Sequence, residues 1–323
     1  MKENWKIGGI MNASSIIEID NLLNKFGYQD RIQFGIYDSN YMLKWSGGRS
    51  MLDMPPLLEP YKFVDYITAL NMRGISFYFT FSNHEIDIND EDGNFILDKF
   101  HNDLNGVIIL NDTFAEYVRE KYPKYKRVLS CTHYNTNVDY YLKRKNLYDV
   151  MVLLAEWNYN EDVIKQIGPE KLEIFANEKC LHDCQFRSEH YKRVSEANRN
   201  YWVKNTNFYQ DMGKLWCEEQ LHKRVINMLP PKDFLKHTTS LEISNKHIEY
   251  LKTLGINNFK ITSRQQPDTP DYDVLHYIVE RIGGEELKES VVKAMKHGFS
   301  WIDNEKSSFI EAYELINRQY TKL

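Results

Sequence analysis

Ile75-Ser76-Phe77-Tyr78-Phe79-Thr80-Phe81, followed at once by Ser82-Asn83-His84-Glu85, decides how this chain is read. Aromatic and β-branched residues make the first part a strand, and the polar residues after it end the strand in a loop. Upstream, a helix runs from about Glu59, with Pro60 in its first turn, to Gly74. Downstream, Gly106 to Leu110 is the next strand, and Asp112 caps a helix that Pro123 terminates. The unit is strand, loop, helix, and it repeats in both directions.

Toward the N-terminus, Trp5 to Met11 and Arg31 to Tyr37 are strands. The helix between them is capped by Ser15, with Glu18 as capping-box partner and Gly27 as its stop. Toward the C-terminus, Lys126 to Cys131, Val150 to Ala155, Leu172 to Ala176 and Asn258 to Thr262 are strands. Helices end at Gly168 and Gly255, the second capped by Ser244, and Thr269-Pro270 begins another. Eight strands mostly alternating with helices predict parallel pairing, and closure at eight predicts an α/β fold, the (β/α)8 TIM-type barrel. Residues 1–323 then form a single barrel, with a cysteine-bearing insertion at 177–235 after strand seven. Helices at 286–297 and 306–320 make a C-terminal helical extension over 284–323.

With 42% hydrophobic and 14% aromatic residues the chain has ample material for a large core. A formal charge of −5 gives no basic footprint for non-specific nucleic-acid binding. The start, Met1-Lys2-Glu3-Asn4-Trp5, lacks the apolar core of a signal peptide, and no apolar run approaches membrane-spanning length. A cytoplasmic protein is expected. There, four cysteines are reduced, metal-bound or catalytic rather than paired in disulfides.

A barrel of this kind gathers its active site at the carboxyl ends of its strands. Residues expected there include Asp38, Asn83, His84, Asn111, Cys131, His133, Glu156, Asn158, Asn177, Glu178 and Arg264. The insertion hangs over the same mouth and carries Cys180-Leu181-His182-Asp183-Cys184, with His190 and Cys217 beyond. Two thiolates four residues apart on a helical turn stand about 6 Å apart, suited to one metal centre. Cys217 offers a third ligand and Cys131 a fourth, a set that suits an iron–sulfur cluster or zinc. Four unrelated thiols packed as small hydrophobes is the competing reading. Gly47-Gly48-Arg49 can cradle an anion or serve as a plain loop. His84 and His133 offer acid–base chemistry or structural hydrogen bonds, and Glu156, a carboxylate at a barrel mouth, calls for a partner or a substrate.

The run Leu172-Glu173-Ile174-Phe175-Ala176-Asn177-Glu178-Lys179-Cys180, with Cys184 and His190 behind it, resembles the cysteine region of the collagenase-like peptidase U32 family. Gly255-Ile256-Asn257-Asn258-Phe259-Lys260-Ile261-Thr262-Ser263-Arg264 is similar to that family's "GI..FKI.GR" stretch. Gly47-Gly48-Arg49 and the strand from Ile75 to Asn83 fit as well. The resemblance implies a TIM-type barrel with an oxygen-sensitive 4Fe–4S cluster on Cys180, Cys184, Cys217 and Cys131. It also implies oxygen-independent hydroxylation-type chemistry, with an older peptidase label. The chain departs from the family in its short CxxxC and in having Asn177-Glu178-Lys179 where the family has a glycine-containing turn.

The expected enzyme is an iron–sulfur barrel oxidoreductase acting on a small anionic or biosynthetic substrate. Arg49, Asn83, Asn177 and Arg264 bind the substrate, and His133, Glu156 and His84 handle protons. The alternatives are a metal- or thiolate-dependent peptidase and a non-catalytic, cluster- or zinc-stabilised subunit that pairs with a related barrel.

Overall fold

The computed structural model describes residues 2–9, 13–39, 43–48, 60–178, 184, 186–204, 241–262 and 269–304. Seven strands run in chain order: β1 (Glu3–Gly8), β2 (Ile32–Asp38), β3 (Ser76–Phe81), β4 (Gly106–Ile109), β5 (Lys126–Leu129), β6 (Val150–Val152) and β7 (Leu172–Phe175). After β7, β8 (Asn177–Glu178) and β9 (Leu241–Glu242) form a separate antiparallel pair that flanks residues 179–240. Then β10 (Asn258–Ile261) returns between β7 and β1 and closes the barrel. All eight barrel pairings are parallel, as the alternation of strands and helices predicts.

Six helices accompany the first seven strands: α1 (Ala13–Lys25), α2 (Pro60–Met72), α3 (Glu91–Lys99), α4 (Asp112–Lys121), α5 (Val138–Leu142) and α6 (Glu161–Ile167). The longer α7 (Arg187–Lys204) follows β8. A helix Asn245–Thr253 precedes β10, and a helical run from Thr269 to Ile282 with a π turn at Leu275–Val279 comes after it. Glu285–Asn304 is the described part of the C-terminal extension; the expected helix 306–320 lies outside the described residues.

Some helix starts differ from the sequence reading. α1 begins at Ala13, so Ser15 sits inside it and is not its cap. α4 is capped one residue earlier than expected: Asn111 accepts from the Phe114 N–H at 3.0 Å, and Asp112 instead pairs with Arg144 at 2.7 Å. Asp and Asn are about equal as caps, so an Asn-Asp pair does not fix which one takes the role. Ser244 does cap its helix. The first strand is Glu3–Gly8, and α3, capped by Asp90, was not anticipated. None of the described helices is long and apolar enough to cross a membrane.

Successive strand residues face opposite ways, which makes two cores. Outward residues such as Trp5, Ile7, Phe34, Phe77, Phe79 and Phe259 pack under the helices. Inward residues Tyr78, Ile108, Val128, Val152 and Phe175 fill the lumen. Tyr78 spans the lumen because its neighbours there are glycines: a methyl at Gly106 would stand 2.4 Å from its ring. Three further inward positions carry buried charge, and they lead to the site.

Candidate active site at the barrel mouth

Lys6, Glu173 and Lys260 lie inside the barrel, each at most 4% exposed. Lys6 and Lys260 are direct partners on the neighbouring strands β1 and β10, and Glu173 sits one pair along on β7 beside Asn258. One carboxylate therefore serves two ammonium groups, and it does not serve them equally. Lys6 is in direct contact with Glu173 and stands 4.0 Å above the Tyr78 ring. Lys260 is 3.6 Å from the other Glu173 oxygen, beyond hydrogen-bond reach, and lies over the Tyr37 ring at 3.9 Å.

The two lysines consequently titrate in opposite directions. Burial opposes the charge on Lys6, but Glu173, then Tyr78, outweigh it and raise its pKa. For Lys260 burial prevails and lowers the pKa; Glu173 and Cys131 oppose this, while the charge of Lys6 adds to it. A desolvated amine beside a second cation is one of the ways a protein makes a lysine nucleophilic at neutral pH.

Above the triad lies a cavity of about 80 Å3, lined among others by Tyr37, Thr80, Ser82, Cys131, Lys260 and Thr262. A single water needs at least ~10–15 Å3, so the space admits a ligand of several heavy atoms. The hydroxyls of Thr80, Ser82 and Thr262 are buried with no hydrogen-bond partner among the described residues. Each orphan of this kind costs roughly 1–3 kcal/mol. Gly47 and Gly48 let their loop press against the end of β3. A methyl on Gly47 would lie 2.4 Å from the Ser82 backbone, and Gly48 has φ +76°, which favours glycine.

The residues singled out from sequence divide into three groups. Cys131 lines the cavity. Asn83, Asn177, Glu156 and His133 are described but tied to other protein groups, while His84 is described with its Nε2 buried and no hydrogen-bond partner for it among the described residues. Asn83 donates to the carbonyls of Ser46 and Ser195 at 3.1 and 2.9 Å. Asn177 donates to the Thr262 carbonyl and accepts from the Thr262 N–H, joining β8 to the end of β10. Glu156 is paired with Arg187 at 2.6 Å, both side chains buried. His133 accepts from the Asn135 N–H at 2.8 Å and packs against Tyr140, and burial together with Arg144 pushes it down to about 3. His84 is also lowered, by burial and then by Lys192 and Arg199. The last group, Arg49, Arg264, Cys180 and Cys217, lies outside the described residues.

Of the four expected cluster ligands, Cys131 and Cys184 are among the described residues. Cys184 is buried, and its carbonyl accepts from the Arg187 N–H at 3.1 Å. Arg187 and Tyr191, at the start of α7, share a small cleft with Cys131. Among the described residues no group of three His, Cys, Asp or Glu is placed to hold a metal ion.

Sequence reasoning overlooked Lys6, Glu173 and Lys260 as a group. Their signal was nonetheless present: each is a charged residue inside an apolar strand, in Trp5-Lys6-Ile7, Leu172-Glu173-Ile174 and Phe259-Lys260-Ile261. The period-two alternation puts all three charges in the lumen.

No family model and no curated protein sequence matches this chain. Among solved structures it is similar to the U32 peptidase Mk0906, with a TM-score of 0.50 and 14% identity over 83% of this chain and 94% of that one. The likeness is one of fold: a closed barrel of eight parallel strands of the TIM type.

Proposed function

We propose that the chain is an enzyme of the U32 type that acts on a small anionic or biosynthetic substrate at the barrel mouth. The observation that carries this reading is that Lys260 lines one cavity with Thr80, Ser82 and Thr262, whose hydroxyls have no hydrogen-bond partner among the described residues. An oxyanion there would receive hydrogen bonds from Thr80, Ser82, Thr262 and the Lys260 amine. Thermal unfolding with acetate, inorganic phosphate and oxalate tests it. One of these at ten times its dissociation constant raises stability by about 1.4 kcal/mol in the wild type and not in Lys260→Met. Equal shifts in both proteins would remove the reading.

The cluster belongs to the same proposal, with Cys180, Cys184 and Cys217 as its ligands and Cys131 kept as a thiol facing the cavity. A bound 4Fe–4S cluster would supply one-electron redox chemistry or a Lewis-acidic iron. Protein purified without oxygen is then brown and carries iron and acid-labile sulfide, both lost in Cys184→Ala; iron-free protein contradicts this part. Peptide hydrolysis is the second reading, supported by the fold likeness to a U32 peptidase and by the Cys131 thiol at the mouth. It requires release of peptides from a denatured protein, abolished in Cys131→Ser and indifferent to iron.

A further inference from the structure

We propose that Lys260 is a nucleophilic amine that condenses with the carbonyl group of a small substrate in the mouth cavity to form an imine. This rests on the reading of the mouth as a substrate site and names the functional group that the substrate carries there. Three structural features support it. Lys260 lines the cavity, and its amine lies 3.9 Å and 5.3 Å over the rings of Tyr37 and Phe175, which line it too. It is the poorer-served of two lysines that share one carboxylate, because Lys6 holds the near oxygen of Glu173 while Lys260 stands 3.6 Å from the other. The two lysines are also direct cross-strand partners, and like charges so placed disfavour each other.

The neutral state follows from the same geometry. Two buried ammoniums against one carboxylate leave an unbalanced charge in the lumen, and releasing one proton removes it. Lys260 is the group that gives it up, in keeping with its lowered pKa.

The chemistry then balances without a redox partner. The Lys260 Nζ lone pair attacks the carbonyl carbon, and the C=O π pair moves to oxygen, which takes up the proton that Nζ loses. The resulting carbinolamine expels water as the C=N bond forms. Thr80 and Thr262 line the space in which that oxygen develops, and their hydroxyls, without a partner among the described residues, are spare donors for it. Hydrolysis reverses the sequence and restores the amine.

The test measures the amine directly and needs no knowledge of the substrate. Full-length protein is treated at pH 7 with formaldehyde, and separately with glyoxylate, in the presence of cyanoborohydride. Peptide mapping then follows alkylation at each lysine over time. Only a neutral amine forms the imine that is reduced, and each unit of pKa depression raises the neutral fraction about tenfold. Lys260 is expected to react at least tenfold faster than the exposed Lys124 and Lys143.

In Lys6→Met the competing charge is gone and Glu173 is left to Lys260. Its labelling is then expected to slow at least fivefold, while Lys124 is unchanged. Lys260 labelling no faster than Lys124, or an unchanged rate in Lys6→Met, overturns the proposal. Neither readout depends on turnover, so a mouth that binds anions while Lys260 stays inert would retain the substrate-site reading and sink the imine alone.

Discussion

Inside the barrel the unequal sharing of Glu173 makes a prediction about stability as well as reactivity. Glu173→Gln leaves Lys6 and Lys260 buried without a counter-charge. Breaking a buried pair in this way costs about 3–5 kcal/mol, read as a shift of the urea midpoint. Lys260→Met replaces the poorer-paired charge with an apolar side chain of similar length and leaves the Lys6–Glu173 contact in place. It is expected to cost less than about 1 kcal/mol, since apolar replacement of a buried charge is often neutral or stabilising. Equal losses in the two variants would mean that Lys260, too, is fully paired. Single residues were the hardest level to read from sequence. Lys6 looks like any lysine near a terminus until the barrel brings it beside Glu173, 167 positions away. His133 and Asn83 stood out because polar residues at strand ends are conspicuous, whereas their hydrogen bonds to Asn135, Ser46 and Ser195 could not be read from spacing.

At the scale of elements, the mouth is assembled by residues that fasten loops rather than touch ligand. Trp45 donates to the Asp87 carbonyl at 2.9 Å and packs edge-on against Phe114, which seats the Leu43–Gly48 segment. Asn83 then links that segment to α7 through Ser46 and Ser195. Asn83→Leu removes both hydrogen bonds, each worth roughly 0.5–1.5 kcal/mol. Hydrogen exchange is expected to quicken in α7 and in residues 43–48 together, with the strands unaffected. Faster exchange in only one of the two would show that Asn83 does not couple them. Gly47→Ala drives a methyl into the Ser82 backbone and is expected to abolish anion binding at the cavity even if the barrel folds. The strand–helix alternation was legible in advance because periodicity and caps are local signals. The short pair β8–β9 was not, since two residues per strand fall below any periodic pattern.

For the whole molecule, closure joins β1 to β10 and the helices around it, and acid should open it in two overlapping stages. Glu3, at the start of β1, is buried and accepts from the Trp5 indole at 2.9 Å; it also pairs with Arg281 and with Lys252 at 2.7 Å. Burial alone would raise its pKa, but Arg281 and Lys252 together outweigh this and lower it. A carboxylate lowered in the folded state contributes stability above its unfolded value of about 4.3, and that stability is lost as pH falls below it. His133 behaves differently. It is held neutral at about 3, whereas unfolded histidine titrates near ~6.5. Between those values the unfolded chain binds a proton that the folded one refuses, so stability falls as pH drops, by up to ~1.4 kcal/mol per unit. Arg144 presses the same way, while Tyr140 and Tyr141 pack on the ring. Urea titrations from pH 7 to 3 should therefore show a first loss below about 6.5 that His133→Phe reduces and Glu3→Gln leaves in place. Below about 4.3 the loss should steepen, and Glu3→Gln should remove that added steepness, while the His133 contribution runs on beneath it to about 3. Since Glu3 binds the first strand to the helix after the last one, the second stage is expected to coincide with loss of the far-ultraviolet signal of the entire barrel. If Glu3→Gln instead flattens the upper stage, closure at the β1–β10 seam does not govern acid unfolding.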